Sequence, residues 1–285
     1  IRRHILLGVV LSSAALLAIL RGISWDEFGR EISKANYWWV PPFVALETLS
    51  LWARAMRWRV LMQDRITTSR LFWLTSISYH ISNIFPLRIG EVAKIYLATR
   101  DSEVGGMQAV STVLLERLMD IVIVFLLLFG VLPFVPYRGS LIGVAYWASA
   151  MAICGILMLF VFAKRRRMIL RIIGILCRAI APRLSTAVTK AAERFLCSIE
   201  VIGGAKFSMA WLWGAMAWAT AALAAHVLLL GFLPDERLHV GVFVTAIVAL
   251  GIALPSLPAG IGLWEASTVA ALAVFNVKKE MALSY

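Results

Sequence analysis

The chain of 285 residues is 61% hydrophobic and 15% charged, with a mean hydropathy of +0.85. A soluble domain is about 45–50% apolar and about 25% charged, so the composition excludes an ordinary soluble globular fold. Much of the net charge of +12 lies in residues 164–206, between two apolar segments. This position favours the cytoplasmic side of a membrane and anionic headgroups over nucleic acid.

Long apolar runs indicate membrane-spanning helices, because roughly 18 or more apolar residues reach across the hydrocarbon. Residues 4–20 form the first predicted span. Arg2 and Arg3 precede this span and predict a cytoplasmic N-terminus. Residues 24–36 are amphipathic and predict an interfacial helix outside. A second span extends to about Trp52 and reaches the inner side. Aromatic residues near segment ends are typical of interfacial belts, to which we assign Trp38, Trp39, Trp52, Trp58, Tyr146, Trp147 and Trp211.

Residues 71–98 do not fit a simple span. An apolar stretch reaches Phe85, breaks at Pro86, and resumes as a second apolar helix after Gly90. Each arm has only about 12–15 residues, which is too short to cross the hydrocarbon comfortably. We therefore predict a re-entrant hairpin that returns to the cytoplasm.

The middle of the chain contains further spans and a basic insert. Residues 108–135 are predicted to cross outward, residues 141–163 to return, and residues 208–232 to cross outward again. Within the insert of residues 164–207, apolar and basic residues alternate at helical spacing. This pattern predicts amphipathic helices on the cytoplasmic surface.

Residues 240–276 contain a second break. Two prolines and two glycines between residues 255 and 262 cannot continue a helix. Lipid does not tolerate exposed irregular backbone, so this break is predicted to be buried in protein or to line a cavity. In both breaks an Ile-Gly pair follows a proline at three and four positions, and a carboxylate comes soon after. The likeness favours an inverted repeat whose broken helices meet near the midplane, with chance similarity as the alternative.

Ionisable side chains inside membrane segments cost about 2.5–3.5 kcal/mol each on insertion scales, so they are usually paired and functional. Glu116 and Asp120 share one helix face, with Arg117 beside them. Arginine suits a phosphate because its planar fork bonds two oxygens at once. The alternatives are that these charges only hold the bundle together, or that Arg54 and Arg57 anchor a helix end in the headgroups. The predicted substrate-binding residues are Arg54, Arg57, Asn83, Arg88, Gly90, Glu91, Lys94, Glu116, Arg117, Asp120, Pro258, Gly260, Gly262 and Glu265.

Four segments of the chain resemble the flippase-like transmembrane domain of lysylphosphatidylglycerol synthases, in the order found in that family. They are Arg54-Ala55-Met56-Arg57-Trp58, Asn83-Ile84-Phe85-Pro86-Leu87-Arg88-Ile89-Gly90-Glu91, Glu116-Arg117-Leu118-Met119-Asp120 and Pro255-Ser256-Leu257-Pro258-Ala259-Gly260-Ile261-Gly262-Leu263-Trp264-Glu265. The family commonly has a Gly-Gly pair after the last proline, and Ala259 replaces the first glycine here. The resemblance implies movement of a lipid or lipid-linked group between leaflets. It does not imply lysyl transfer, which a separate soluble domain performs in those synthases.

These observations predict an all-α, polytopic membrane bundle with two re-entrant hairpins, forming one domain over residues 1–285 in a prokaryotic cytoplasmic membrane. The resemblance also implies a final span beyond residue 285. The predicted partner is a membrane lipid with an anionic headgroup, and a homo-oligomer or a separate soluble domain is left open. We expect no cofactor, no metal and no catalytic set, since Cys154, Cys177 and Cys197 are too scattered for a metal site. The alternatives are an enzyme acting on a lipid phosphate or polyprenyl-linked sugar, and a non-catalytic assembly subunit.

Overall fold

The computed structural model describes residues 12–85, 89–100, 104–136, 204–253 and 260–285, together with the single positions 150, 154, 171, 175 and 193. Every regular element in these ranges is helical, which confirms the predicted all-α class. The helices are α1 (12–20), α2 (Trp25–Lys34), α3 (Val40–Leu61), α4 (Thr68–Ile84), α5 (Ile89–Arg100), α6 (Gly106–Val131), α7 (Gly204–Leu229), α8 (Leu238–Gly251), α9 (Leu263–Ala273) and α10 (Lys279–Ser284). Short 3-10 turns at Tyr37–Trp39 and Leu132–Phe134 precede α3 and follow α6.

Two helices in the described residues are long and apolar enough to cross a membrane. They are Gly106–Phe134, with a mean hydropathy of 2.3, and Gly204–Leu229, with a mean hydropathy of 1.5. They correspond to the spans predicted at residues 108–135 and 208–232. The span predicted at residues 141–163 and the insert at residues 164–207 lie almost entirely outside the described residues, as does the first half of the span at 4–20.

Helix α3 continues nine residues beyond the end predicted at Trp52. Its 22 residues extend about 33 Å at 1.5 Å per residue. The prediction ended the span early because three arginines follow Trp52. The helix continues because Arg57 is buried, with 1% of its surface exposed, and is neutralised by carboxylates of α6.

The core of the bundle is built around α3, α6 and α7. Helix α3 packs along α7, where the buried hydroxyl of Ser50 donates a hydrogen bond to the carbonyl of Ala217 at 2.8 Å. Small residues such as Ala53 and Ala210 are fully buried, so the backbones approach closely. Helix α6 contacts α3, α5, α7 and α8, and it is therefore the helix on which the other layers assemble.

Helices α4 and α5 form the first hairpin. The first helix ends at Ile84 and the second begins at Ile89, where the sequence predicts an interruption. Gly90 is essential to this hairpin. A methyl group in its place would collide with the backbone carbonyl of Ser78 and the hydroxyl of Ser82. The hairpin packs on α3 and α6, and it thereby brings the first turns of α5 against the buried core.

Helices α8 and α9 form the second hairpin, separated by residues 252–262. Gly260 and Gly262 have φ angles of +73° and +88°, in the left-handed region that favours glycine, so the helix is interrupted at these two positions; residues 254–259 lie outside the described residues. Helix α8 packs on α6 and α7. Extensive contacts between the two hairpins are absent from the described residues, and α6 contacts both. The inverted repeat stays a prediction.

Candidate functional site

Seven charged side chains from three helices meet where the first hairpin packs on α3 and α6. We call them the charged cluster. Helix α3 contributes two of them, α5 two and α6 three, so the cluster exists only when these helices pack together. Its members are Arg54, Arg57, Glu91, Lys94, Glu116, Arg117 and Asp120. All seven are residues that the sequence predicts for the site.

Asp120 is the centre of the cluster. Arg57 donates from Nη1 to Oδ1 at 2.7 Å and from Nη2 to Oδ2 at 3.3 Å, which is a bidentate, charge-assisted pair. Trp218 on α7 donates from Nε1 to the same Oδ1 at 2.8 Å. Arg117 Nη1 lies 3.5 Å from Oδ2. Asp120 is 5% exposed, so these donors replace the water that a carboxylate would otherwise bind.

Glu116 joins Arg57 to Lys94. Its Oε1 lies 3.4 Å from Arg57 Nε, and its Oε2 accepts a hydrogen bond from Lys94 Nζ at 2.8 Å. The Lys94 ammonium also lies 3.9 Å from the ring centroid of Trp58, a cation–π contact. Trp58 is oriented by its own hydrogen bond, from Nε1 to the hydroxyl of Thr112 at 3.1 Å. The three helices are therefore held by one continuous polar network.

The edge of the cluster is more accessible than its centre. Arg117 Nε lies 3.1 Å from Glu91 Oε1, and the side chains are 33% and 25% exposed. The corresponding values for Arg57 and Glu116 are 1% and 2%. A polar group that approaches the cluster from the surface of the bundle would therefore meet Glu91 and Arg117 first.

Arg54 is the cation with the weakest pairing among the seven. Its nearest carboxylate contact in the described residues is Nη1 to Asp120 Oδ1, at 4.0 Å. Instead, its guanidinium lies 4.9 Å from the ring centroid of Trp218 and 5.8 Å from that of Tyr79. Four cations in the cluster face three carboxylates, and a further carboxylate, Glu47 on α3, interacts electrostatically with Arg54 without lying within 4.0 Å of it. Arg54 thus has hydrogen-bond donors available for an anion.

Gly214 on α7 provides space for this arrangement. A methyl group in its place would lie 2.9 Å from Ile123 Cδ1 and 3.2 Å from Arg57 Nη1. Any larger residue would therefore press on the guanidinium that binds Asp120. The absence of a side chain here lets α7 close over the cluster.

Other predicted site residues lie elsewhere. Asn83 is exposed in the last turn of α4. Gly260 and Gly262 belong to the second hairpin, where Glu265 Oε2 accepts a hydrogen bond from the backbone N–H of Gly262 at 2.7 Å. In this position Glu265 caps the N-terminus of α9. Arg88 and Pro258 lie outside the described residues.

Four residues of the site were missed by the sequence analysis: Trp58, Tyr79, Gly214 and Trp218. The assignment of Trp58 to an interfacial belt is wrong, because its surface exposure is 0%. A signal was available, since Trp58 lies four residues after Arg54 on one helix face. Trp218 and Gly214 gave no comparable signal, because nothing within α7 indicates which of its faces meets α6.

The fold and the site together define a helical membrane protein whose core contains a largely buried ionic network. The model of the family described as "Lysylphosphatidylglycerol synthase TM region" matches residues 5–285. The chain belongs to this family, which confirms the resemblance seen in the sequence. Neither the curated proteins nor the solved structures show a significant match to the chain.

Proposed function

We propose that the chain is a lipid transporter of a prokaryotic cytoplasmic membrane, moving an anionic, phosphate-bearing lipid or lipid-linked group between leaflets. The observation that carries this proposal is the position of Arg54, a largely buried cation that lies 4.0 Å from its nearest carboxylate in the charged cluster and therefore has donors available for an anion. A phosphate at this position would supply the hydrogen-bond acceptors that the Asp120 contact does not. The lipid tails stay in the bilayer while the headgroup occupies the cluster.

The chemistry of the cluster suits a phosphate. Arginine presents a planar fork that bonds two phosphate oxygens, and Arg54 is already oriented by the Tyr79 and Trp218 rings. Arg117 at the accessible edge supplies a second guanidinium. If the headgroup also carries an amine, Glu91 would bind it, because Glu91 is the most exposed carboxylate of the cluster. Binding then replaces the ion pair between Arg117 and Glu91 with new ion pairs to the lipid.

The network also offers a way to release the lipid again. Arg117 has two carboxylate partners, Glu91 on α5 and Asp120 on its own helix. An exchange from Glu91 to Asp120 moves the positive charge of Arg117 toward the centre of the cluster and releases Glu91, whose side chain is 25% exposed. Because α5 is a short arm of a broken helix, a tilt of this arm requires no long helix to bend. We propose that such movements of α5 alternate access to the cluster.

The test is a leaflet-redistribution assay in proteoliposomes. Fluorescent phosphatidylglycerol is distributed over both leaflets, and dithionite then bleaches the outer leaflet; the fraction that becomes accessible with time gives the transport rate. Replacing Arg54→Gln removes a charge-assisted bond worth about 1.5–3 kcal/mol, so we expect a rate at least about tenfold lower. Arg54→Lys keeps the charge without the fork and should give an intermediate rate.

The matched control is Arg30→Gln on α2, which removes one arginine from an exposed helix far from the cluster along the chain. It should transport at the rate of the unaltered protein. Equal rates for the unaltered protein, Arg54→Gln and empty liposomes would overturn the proposal.

A further inference from the structure

A groove of about 570 Å³ lies between α3 and α4. On the α3 side it is lined by Ala45, Thr48, Leu49 and Trp52, which recur at the spacing of one helical stripe. Phe72 lines it on the α4 side. We call this feature the α3–α4 groove, and its walls are mainly apolar.

The α3–α4 groove is distinct from the charged cluster. Residues 52 and 54 point in nearly opposite directions on a helix, since they differ by about 200°. Leu49 and Trp52 are each 37% exposed, whereas Arg57 on the cluster side is 1% exposed. The groove therefore opens to the surroundings of the bundle, which for a membrane protein are lipid chains.

One end of the groove is positively charged. Arg59, seven residues after Trp52 on the same stripe, donates from Nη1 to the hydroxyl of Thr68 at 2.8 Å. Its Nε lies 3.2 Å from Asp64 Oδ1, and Lys206 Nζ lies 2.7 Å from Asp64 Oδ2. Among the described residues, two cations thus share the single carboxylate of Asp64. The side chains of Arg59 and Lys206 are 38% and 46% exposed, so an anion can reach both.

The length of the groove and the positive charge at its end both favour one kind of ligand. From Ala45 to Arg59 the helix advances about 21 Å, which is longer than the roughly 15 Å depth of half the hydrocarbon core. We propose that the α3–α4 groove binds an anionic phospholipid, with one acyl chain along Trp52 and Phe72 and the phosphate between Arg59 and Lys206. The exposed hydroxyl of Ser69, which also lines the groove, supplies a further donor.

This bound lipid is not the transported one. Its phosphate contacts cations outside the charged cluster, and the proposal stands whether or not the cluster transports a lipid. A lipid held here would fasten the start of α4 to α3 and to the first residues of α7, because Lys206 belongs to α7 and Asp64 to the turn before α4. The predicted consequence is a dependence of the stability of the bundle on anionic lipid.

The test uses the full chain in phosphatidylcholine vesicles that contain a small fraction of phosphatidylglycerol with a photoactivatable diazirine on one acyl chain. After illumination, mass spectrometry of peptides locates the crosslinks. We expect labelling of residues 45–52 and 68–72. The double variant Arg59→Gln, Lys206→Gln should lower this labelling by about fivefold for each cation removed. Arg59→Lys should retain most of it.

A second variant keeps the charges and fills the groove. Ala45→Trp should displace the acyl chain and lower the labelling of residues 45–52, whereas Arg30→Gln on exposed α2 should leave it unchanged. The inference is overturned if a phosphatidylcholine probe with the same diazirine chain labels these residues as strongly as the phosphatidylglycerol probe. It is also overturned if the double variant is labelled like the unaltered protein. Arg54→Gln separates the two proposals, because it should slow transport and leave this labelling intact.

Discussion

The pair formed by Lys94 and Glu116 gives the sharpest prediction about the buried network. The two side chains are 6% and 2% exposed, and 2.8 Å separates Lys94 Nζ from Glu116 Oε2. Lys94→Met removes the ammonium and leaves Glu116 with Arg57 Nε at 3.4 Å. Breaking a buried ion pair costs about 3–5 kcal/mol, and the remaining partner favours the lower end, about 3 kcal/mol. Glu116→Gln alone should cost a similar amount, since it leaves the ammonium of Lys94 buried without its partner.

The double variant distinguishes an ion pair from two independent contacts. With both charges removed, neither is left uncompensated, so the loss should be smaller than the sum of the single losses by about 2 kcal/mol or more. The assay is the free energy of unfolding, measured by steric trapping in bicelles. The surface pair of Lys34 and Glu31, 69% and 27% exposed and 3.8 Å apart, is the control, and its coupling should stay below about 1 kcal/mol. Additive losses for Lys94 and Glu116 would refute the pairing.

Two further predictions concern packing against the charged cluster and helix capping in the second hairpin. Gly214→Ala should cost about 1 kcal/mol or more in the free energy of unfolding and should slow transport, because the new methyl group lies 3.2 Å from Arg57 Nη1. The control Gly130→Ala meets no atom within 4 Å and should stabilise α6 slightly; equal effects of the two substitutions would contradict the packing argument. Glu265→Ala should lower the free energy of unfolding by about 1 kcal/mol and should remove the hydrogen-exchange protection of the Gly262 amide. Glu265→Gln keeps an acceptor oxygen for this amide. Loss of protection in Glu265→Gln equal to that in Glu265→Ala would count against capping by the side-chain oxygen.

The sequence predicts most of the helical layout because local composition determines it. Helices α6 and α7 contain more than 18 residues with few charges, and the two breaks contain the glycines and prolines that stop a helix. The shared face of Glu116 and Asp120 also follows from their spacing of four residues, and both meet Arg57. Each of these predictions needs information from only one segment of the chain.

The partners in the site required information from several segments. Whether Arg57 was a headgroup anchor or a buried partner depended on how α3 packs on α6, which no pattern within α3 reveals. Trp58 was misplaced for the same reason, since a tryptophan near a helix end usually marks the interface, whereas this one meets Lys94 of α5. Trp218 enters the site from α7, nearly 100 residues beyond Asp120 along the chain. Glu265 is different, because its position three residues after Gly262 is a local capping signal.

The most direct test of phosphate binding at Arg54 is a structure of the chain in nanodiscs of phosphatidylglycerol, with the lipid headgroup resolved. We predict a phosphate within hydrogen-bonding distance of the Arg54 guanidinium, about 3 Å, between the rings of Tyr79 and Trp218. A cluster filled only by its own side chains, with headgroups resolved at the membrane surface alone, would contradict this prediction.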